Sequence, residues 1–226
     1  MSARVEQLAA NLWRWETPHP LWREGFDDEE GGWPRDVASL LYERDGTASI
    51  VDPQVGEDDG DLWAFLEEHA GRAERVVVAL TASWHLRSSV AVIERCGGEI
   101  RLHRAAAGDT VMQGLAHVRP FDADGEIAPG VEALLIDGYD QGEVVYWLPE
   151  HAALVAGEVF QGRPDGLRIG PDPYLVSRDA LYAWIRALDR LPVTLVLPAH
   201  GPPAPDGPDV IRRALERPPW ALPGSG

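Results

Sequence analysis

The sequence predicts an α+β fold, a four-layer αββα sandwich in which two mixed β-sheets pack face to face and helices cover their outer faces. Short apolar strands and helices of amphipathic spacing occur in both halves of the chain, and no low-complexity linker separates the halves. The length of 226 residues suits one domain with a sizeable core. We therefore predict a single domain over residues 1–226.

Hydrophobic periodicity gives the individual elements. In the first half we predict strands at 37–43, 47–51, 75–81 and 99–103 and helices at 62–69 and 88–96. In the second half we predict strands at 131–136, 144–148, 152–156 and 193–197 and helices at 178–191 and 209–217. Asp45-Gly46 is a strong signal for a two-residue hairpin turn between the first two strands. Ser177 is a suitable N-cap for the helix that follows it.

The two ends of the chain differ from the rest. Residues 1–36 are rich in tryptophan, and Pro18 and Pro20 argue against a long helix or a central strand between residues 12 and 33. This segment is interpreted as an aromatic cover over one edge of the core. The alternative is the wall of a ligand cleft, because tryptophan combines an apolar face with one N–H donor. Residues 218–226 are predicted to be a loose tail.

The composition predicts the cellular compartment of the protein and limits the classes of partner that it can bind. Asp and Glu number 37 against 20 Lys and Arg, which gives a net charge of −17. Such a surface repels nucleic acid and anionic lipid, so we expect neither as a partner. A single cysteine, Cys96, and the lack of a signal-peptide pattern predict a cytoplasmic protein. A small-molecule ligand or substrate is the expected partner, and a homodimer through the tryptophan-rich start is possible.

Residues 81–88 follow a predicted buried strand and open a helix. With one extra residue allowed, this stretch resembles the first metal motif of the metallo-β-lactamase superfamily, Thr-His-x-His-x-Asp-His. Ser83 and His85 then take the first two histidine positions. Arg87 takes the aspartate position and Ser88 the last histidine position. His85 is the one residue of metal-ligand type that this segment keeps.

Three later segments resemble further motifs of the same superfamily, in the same order. Tyr139, in a Gly-x-x-x-Gly frame before a hairpin that ends in Leu-Pro-Glu, stands where the family has a histidine ligand. Glu158 replaces the aspartate of a Gly-Asp motif. His200 lies in Pro-Ala-His-Gly, which is similar to Pro-Gly-His-Gly. The resemblance covers residues 37–201 and implies the fold, but it leaves few of the metal ligands.

The resemblance implies a site in which most of the ligands have been replaced. A hydrolytic site with two metal ions holds the ions roughly 3.5–4 Å apart and needs enough ligands for both. A guanidinium at Arg87 would repel the second cation. We therefore expect no cofactor. The alternative is one zinc or other divalent transition metal held by His85, Glu158 and His200, with Asp140 or Asp52 as general base.

Three functional hypotheses follow. The first is a degenerate, metal-free protein of this fold that binds a small molecule or acts as a pseudoenzyme, with Arg87 paired to Glu158 or Asp140. The second is a mononuclear metal-dependent hydrolase of an ester, thioester, lactone or amide. The third is a metal-free hydrolase in which His85 serves as base for Tyr139 or Ser83. The candidate catalytic residues are His85, Arg87, Tyr139 and Asp140, and the candidate cleft residues are Ser83, Trp84, Ser88, His19 and Asp52.

Overall fold

A computed structural model of the chain describes residues 3–25, 34–108, 112–139, 142–170 and 175–217. Its strands are β1 (Glu6–Ala9), β2 (Leu12–Pro18), β3 (Asp36–Arg44), β4 (Thr47–Val51), β5 (Arg75–Ala79), β6 (Glu99–His103), β7 (Val118–Phe121), β8 (Gly125–Ala128), β9 (Val131–Leu135), β10 (Val144–Leu148), β11 (Ala153–Gly157), β12 (Phe160–Arg163), β13 (Gly166–Ile169), β14 (Leu195–Pro198) and β15 (Ala204–Pro205). Its α-helices are α1 (Gly60–Arg72), α2 (Ser89–Cys96), α3 (Arg104–Ala107), α4 (Arg178–Ala187) and α5 (Gly207–Glu216).

The strands form two large mixed sheets and one separate hairpin. The first sheet has seven strands in the order β1-β2-β3-β4-β5-β6-β7, antiparallel from β1 to β4 and parallel from β4 to β7. The second has six strands in the order β15-β14-β11-β10-β9-β8, and only β11 and β14 pair in parallel. Strands β12 and β13 pair with each other.

Three apolar clusters define four layers. In β5, Val76 and Val78 pack under α1 and α2, while Val77 and Ala79 face the second sheet. Because successive side chains of a strand point to opposite faces, one strand contributes to two cores. The second sheet likewise packs its outer face against α4 and α5, for example through Trp147. The predicted αββα sandwich with two mixed sheets is confirmed.

Local signals explain how several elements begin and end. Asp45 and Gly46 both have positive φ, at 46° and 72°, as a two-residue hairpin turn of the favoured type requires. Asp59 caps α1, and its side chain accepts a hydrogen bond from the Leu62 N–H at 3.2 Å. Ser177 caps α4 as predicted and accepts from the Ala180 N–H at 3.3 Å.

The prediction for the N-terminal segment is wrong in one respect. Residues 12–18 form β2, which pairs with a strand on each side. The prolines permit this because Pro18 is the last residue of the strand and Pro20 lies beyond it. Trp15 is fully buried beneath the helices, and its Nε1–H donates to the Gln54 carbonyl at 2.9 Å. Trp33 and residues 218–226 lie outside the described residues.

Strand direction determines where the loops meet. Strands β2, β4 and β5 run the same way in the first sheet, since β2 and β4 are both antiparallel to β3 and β4 is parallel to β5. Strands β11 and β14 are likewise parallel in the second sheet. The residues that follow these strands therefore gather at shared sheet edges. No helix in the described ranges has both the length and the apolar character needed to cross a membrane.

Candidate functional site

The site is built from the loops that follow four strands. Asp52 comes directly after β4, His85 lies six residues after the end of β5, and Glu158 comes directly after β11. His200 lies two residues after β14. Gly157 allows the two sheets to approach here, because its φ is +51° and an added Cβ would lie 3.0 Å from Thr81 Cβ. Residues far apart in sequence thus share one buried cluster.

Asp52 orients His85 from the first sheet. The buried carboxylate of Asp52 accepts from the Thr81 N–H at 2.9 Å and from Thr81 Oγ1 at 2.6 Å. His85 Nδ1 lies 3.0 Å from Asp52 Oδ2 and 2.8 Å from Thr81 Oγ1. Because the threonine proton goes to the carboxylate, the Nδ1 atom must be the donor in its own contacts. This fixes the ring and directs Nε2 away from Asp52.

Glu158 joins the two histidines from the second sheet. Its Oε1 lies 3.0 Å from His85 Nε2 and 3.4 Å from His200 Nε2. Its Oε2 accepts from Gln161 Nε2 at 2.7 Å. His200 Nδ1 donates to the Asp36 carbonyl at 3.2 Å, so its Nε2 is also directed at Glu158. The structure therefore brings His85, Glu158 and His200 together around one carboxylate oxygen.

The electrostatics of this cluster favour a charged pair. Burial and the nearby Arg87 lower the pKa of His85, but the Asp52 and Glu158 carboxylates outweigh them and the net pKa is raised. Burial raises the pKa of Glu158, yet the charge of His200 and its hydrogen bonds to both histidines hold that pKa well below its usual range. A protonated His85 facing an ionised Glu158 balances charge inside the site.

Arg87 lies beside this cluster without joining it. Its Nη1 makes one long hydrogen bond, 3.4 Å, to the Asp52 carbonyl. The buried Nε has no hydrogen-bond partner among the described residues. Burial lowers the pKa of Arg87, and the charges of Asp52 and Glu158 only partly offset this. Its φ of 36° is in the left-handed region, which non-glycine residues rarely adopt.

The predicted ion pair of Arg87 is not formed with Glu158. Between these two described residues there is no salt bridge, because Glu158 is already engaged by His85, His200 and Gln161. The second predicted partner, Asp140, lies outside the described residues. Its pairing with Arg87 and its catalytic role therefore stay predictions. Arg87 instead donates to the backbone carbonyl of Asp52 and is one of the residues that line a cleft.

His19 approaches the site from the end of β2. Its pKa is lowered to about 4, by burial first and then by the positive charges of Arg87, His200 and His85. Its backbone N–H donates to the Arg35 carbonyl at 2.7 Å, and its Nδ1 accepts from the Leu21 N–H at 3.2 Å. The low pKa means that His19 is neutral at pH 7, so it adds no further positive charge to the site.

The remaining predicted residues are distributed unevenly. Ser88 bonds to the Val55 backbone through its hydroxyl, at 2.9 Å from N and 3.2 Å to O, and anchors the cleft wall. Trp84 is 40% exposed and stands edge-on to His85. Ser83 is buried. Tyr139 packs in the core under α4, and an added Cβ on Gly170 would lie 2.5 Å from its hydroxyl.

These positions bear on two of the proposed catalytic roles. Asp52 has both carboxylate oxygens occupied by His85 and Thr81, so its position suits an orienting residue and not a general base. Both ring nitrogens of His85 are also engaged. This arrangement does not suit the third hypothesis, in which His85 would accept a proton from Tyr139 or Ser83.

A cleft of about 810 Å³ is lined in part by Arg87. Its walls include Arg87, Ser88 and Gln54, with Thr17 and Pro18 from β2. Its rim carries acidic residues of the loop that leads into α1, among them Glu57 and Asp58. A cleft of this size is typical of small-molecule sites in proteins.

The residues present do not fit two metal ions. Ser88 uses its hydroxyl on the Val55 backbone, and Arg87 already contributes positive charge that lowers the pKa of His19 and acts to lower that of His85. Within the described ranges, no group of three or more His, Cys, Asp or Glu side chains has the arrangement of a metal site. His85, Glu158 and His200 meet as hydrogen-bonded partners instead.

The chemistry of these three donors nevertheless fits one ion. Two imidazole nitrogens and one carboxylate are a known catalytic zinc set. Each histidine also donates its Nδ1–H to an oxygen, Asp52 Oδ2 for His85 and the Asp36 carbonyl for His200. Metal-binding histidines are commonly oriented in this way. A single cation would take the place of the protons now shared with Glu158.

Sequence reasoning missed three residues that hold the site together. Thr81 bonds to both Asp52 and His85, Gln161 bonds to Glu158, and the Ser39 hydroxyl donates to the Asp52 carbonyl at 2.9 Å. Thr81 opens the first motif, so its position was a usable signal. Ser39 and Gln161 lie in strands, β3 and β12, where a polar residue has no distinctive pattern.

No protein-family model matches the sequence, and no curated protein sequence is detectably similar to it. Solved structures do resemble it. DIM-1 metallo-β-lactamase superposes with a TM-score of 0.72 over 96% of each chain at 15% identity. The metallo-β-lactamase from Pontibacter korlensis gives 0.71 over 96% of this chain and 100% of its own, at 16% identity. FIM-1 from Pseudomonas aeruginosa, in its mono-zinc form, gives 0.69 over 96% of each chain at 13% identity.

At these identities the likeness concerns the fold alone. It extends over nearly the whole chain, and it agrees with the two mixed sheets and the helices that cover them. The motifs that predicted this architecture lie at the strand ends that form the site. This chain has the metallo-β-lactamase fold.

Proposed function

We propose that this protein is a degenerate member of its fold, without a two-metal site, that binds a small carboxylate-bearing molecule through Arg87. One observation carries the proposal: Arg87 lines an 810 Å³ cleft, and its buried Nε is unpartnered in the described part of the chain. A buried donor without an acceptor is costly, by about 1–3 kcal/mol. A carboxylate bound to the guanidinium from the cleft would supply an acceptor.

The chemistry of the guanidinium selects a carboxylate. Arginine presents parallel N–H donors in a planar fork, which matches the two oxygens of a carboxylate. Its one hydrogen bond to Asp52, at 3.4 Å, is too long to occupy it. Glu158 is engaged by His85, His200 and Gln161 and forms no salt bridge with Arg87. The arginine therefore keeps its charge for a ligand, and the protein is either a binding protein or a pseudoenzyme.

Titration with acetate, butanoate and hexanoate, followed by protein-observed NMR, tests the proposal. We expect saturable binding by the wild type that is at least tenfold weaker in Arg87→Gln. Arg87→Lys is the matched control, because it keeps the charge and loses the fork, and we expect intermediate binding. Binding should persist after treatment with a chelator. Equal binding by Arg87→Gln, or no binding by the wild type, would overturn the proposal.

A second candidate is a mononuclear hydrolase that uses His85, Glu158 and His200. It is favoured by the two histidine Nδ1 atoms, which are held by Asp52 and the Asp36 carbonyl so that both Nε2 atoms are directed at Glu158. A bound zinc ion would supply Lewis-acid chemistry for an ester, thioester, lactone or amide. Asp52 and Thr81 would then keep the His85 ring in place.

Competition for zinc against a chromophoric chelator tests this candidate without an activity assay. It predicts one equivalent bound by the wild type and at least a hundredfold weaker binding by Glu158→Gln and His85→Gln. Asp52→Asn, which changes only the group that orients His85, should weaken binding by about 10–100-fold. A wild type that does not compete for zinc would rule the candidate out.

A further inference from the structure

The cleft beside Arg87 is lined by residues of both charges. Its lining includes Arg87 and Ser88 and the residues 56–61 that lead into α1. Within that segment, Asp59 serves the fold: its carboxylate caps α1 and accepts from the Ala3 N–H at 2.7 Å. Glu57 and Asp58 are exposed, and neither forms an ion pair with any described residue. Two carboxylates thus border the cleft without a structural task.

Gln54 adds an acceptor at the same cleft. It is only 7% exposed, and its Oε1 has no hydrogen-bond partner within the described ranges. Its backbone is fixed, because its N–H donates to Ser39 Oγ at 2.9 Å and its carbonyl accepts from Trp15 Nε1 at 2.9 Å. Gln54 therefore lines the cleft from a fixed backbone position, and its buried amide oxygen lacks the donor that a buried acceptor requires.

A ligand that matches these groups carries both a negatively charged acceptor and a positively charged donor. Arg87 requires an acceptor of negative charge, while Glu57, Asp58 and the Gln54 oxygen require a donor of positive charge. An ammonium group offers several N–H donors and a positive charge. We propose that the cleft binds a small aminocarboxylate, with its carboxylate on Arg87 and its ammonium toward Glu57, Asp58 and Gln54. This inference rests on the proposed function and names the class of ligand.

Protein-observed NMR titrations test this by comparing the affinities for three chain-matched pairs of compounds. The pairs are glycine with acetate, 4-aminobutanoate with butanoate, and 6-aminohexanoate with hexanoate. We expect one of the amino compounds to bind the wild type about fivefold more tightly than its partner. Because the rim is exposed, this preference should shrink when salt is raised. The double variant Glu57→Gln/Asp58→Asn should lose the preference and keep carboxylate binding. Glu94→Gln, an exposed change on α2, should keep both.

The possible results distinguish aminocarboxylate binding from the proposed binding of a simple carboxylate. If the simple carboxylates bind and no amino compound binds more tightly than its partner, the aminocarboxylate is excluded and the carboxylate site stands. If butylamine binds Arg87→Gln as tightly as 4-aminobutanoate binds the wild type, the carboxylate contributes nothing to binding. The proposed recognition of both groups of one ligand is then wrong. If no carboxylate binds the wild type, the proposed function and this inference both fail.

Discussion

The polar groups on the two sides of Arg87 are satisfied to different degrees. On the inner side, Asp52, His85 and Glu158 accept or donate hydrogen bonds at nearly every polar atom, at 2.6–3.4 Å. On the outer side, the Arg87 Nε and the Gln54 Oε1 are buried without partners in the described part of the chain. The inner side also keeps one such atom, the Gln161 Oε1, and we propose that a ligand supplies the partners that are missing on the outer side.

Buried polar groups with and without partners differ in what a bound molecule can add to stability. A satisfied buried network rigidifies its surroundings and gains little from a further molecule. An unsatisfied buried group represents free energy that binding can recover. The inner network occupies the place where the motifs predict catalytic residues, whereas Arg87 and Gln54 line the cleft.

The largest expected effect is on the inner side. Asp52→Ala removes the acceptor for Thr81 and for His85 Nδ1, and it leaves those buried donors unpaired. We expect the free energy of unfolding in urea to fall by about 3–5 kcal/mol. Asp58→Ala, on the exposed rim of the cleft, is the control and should change it by no more than about 0.5 kcal/mol. A similar loss in both variants would show that the inner network does not stabilise the fold.

The second effect is the pH dependence of the inner pair. The pKa of His85 is raised above 6.5, so its stabilising contribution is complete below pH 6.5 and is lost as pH rises through the folded-state value. The pKa of Glu158 lies well below 4.5, so its contribution is complete above pH 4.5 and is lost as pH falls through the folded-state value. Both are present together between pH 4.5 and 6.5.

Glu158→Gln tests this window. At pH 6 we expect the free energy of unfolding to fall by about 2 kcal/mol, because a hydrogen bond between charged groups is replaced by a neutral one. The difference from wild type should narrow as pH rises and His85 loses its proton. Urea unfolding of both proteins from pH 5.5 to 9 measures it. Parallel curves over that range would mean that His85 and Glu158 are not an ion pair.

Much of the fold was predictable because it depends on patterns with a local cause. The hairpin turn at Asp45-Gly46, the cap at Ser177 and the buried run of β5 each follow from short stretches of sequence. Short strands such as β8 and β15 were missed, since four and two residues carry too little periodicity. Strand β2 was misjudged because its proline lies at the end, where no ladder hydrogen bond is lost.

The site was predictable in its members and less so in its connections. His85, Glu158 and His200 were identified from motif positions, and the structure places them in contact. Which group satisfies which could not be read from the sequence, because a hydrogen bond depends on distances between strands of different sheets. Arg87 shows this most clearly: its charge predicts a carboxylate partner inside the site, whereas Glu158 is already fully engaged by His85, His200 and Gln161.

The smallest predicted effect separates strain from charge at the boundary of the two sides. Arg87 has a φ of 36° and a ψ of −118°, a conformation that costs a non-glycine residue about 1–3 kcal/mol. Glycine adopts it readily but loses about 0.5–1 kcal/mol through its freedom in the unfolded chain. Arg87→Gly should therefore be more stable than Arg87→Ala by about 1 kcal/mol, as measured by urea unfolding.

Both variants lack the guanidinium, so both should lose carboxylate binding to the same degree. The alanine variant is the matched control, because it removes the charge and keeps the backbone strain. Strain that persists at a residue which bonds so little to its own protein is typical of a functional position. Equal stability of the two variants would show that the backbone relaxes without cost. In that case the conformation of Arg87 would be a consequence of the loop, and its role would rest on the guanidinium alone.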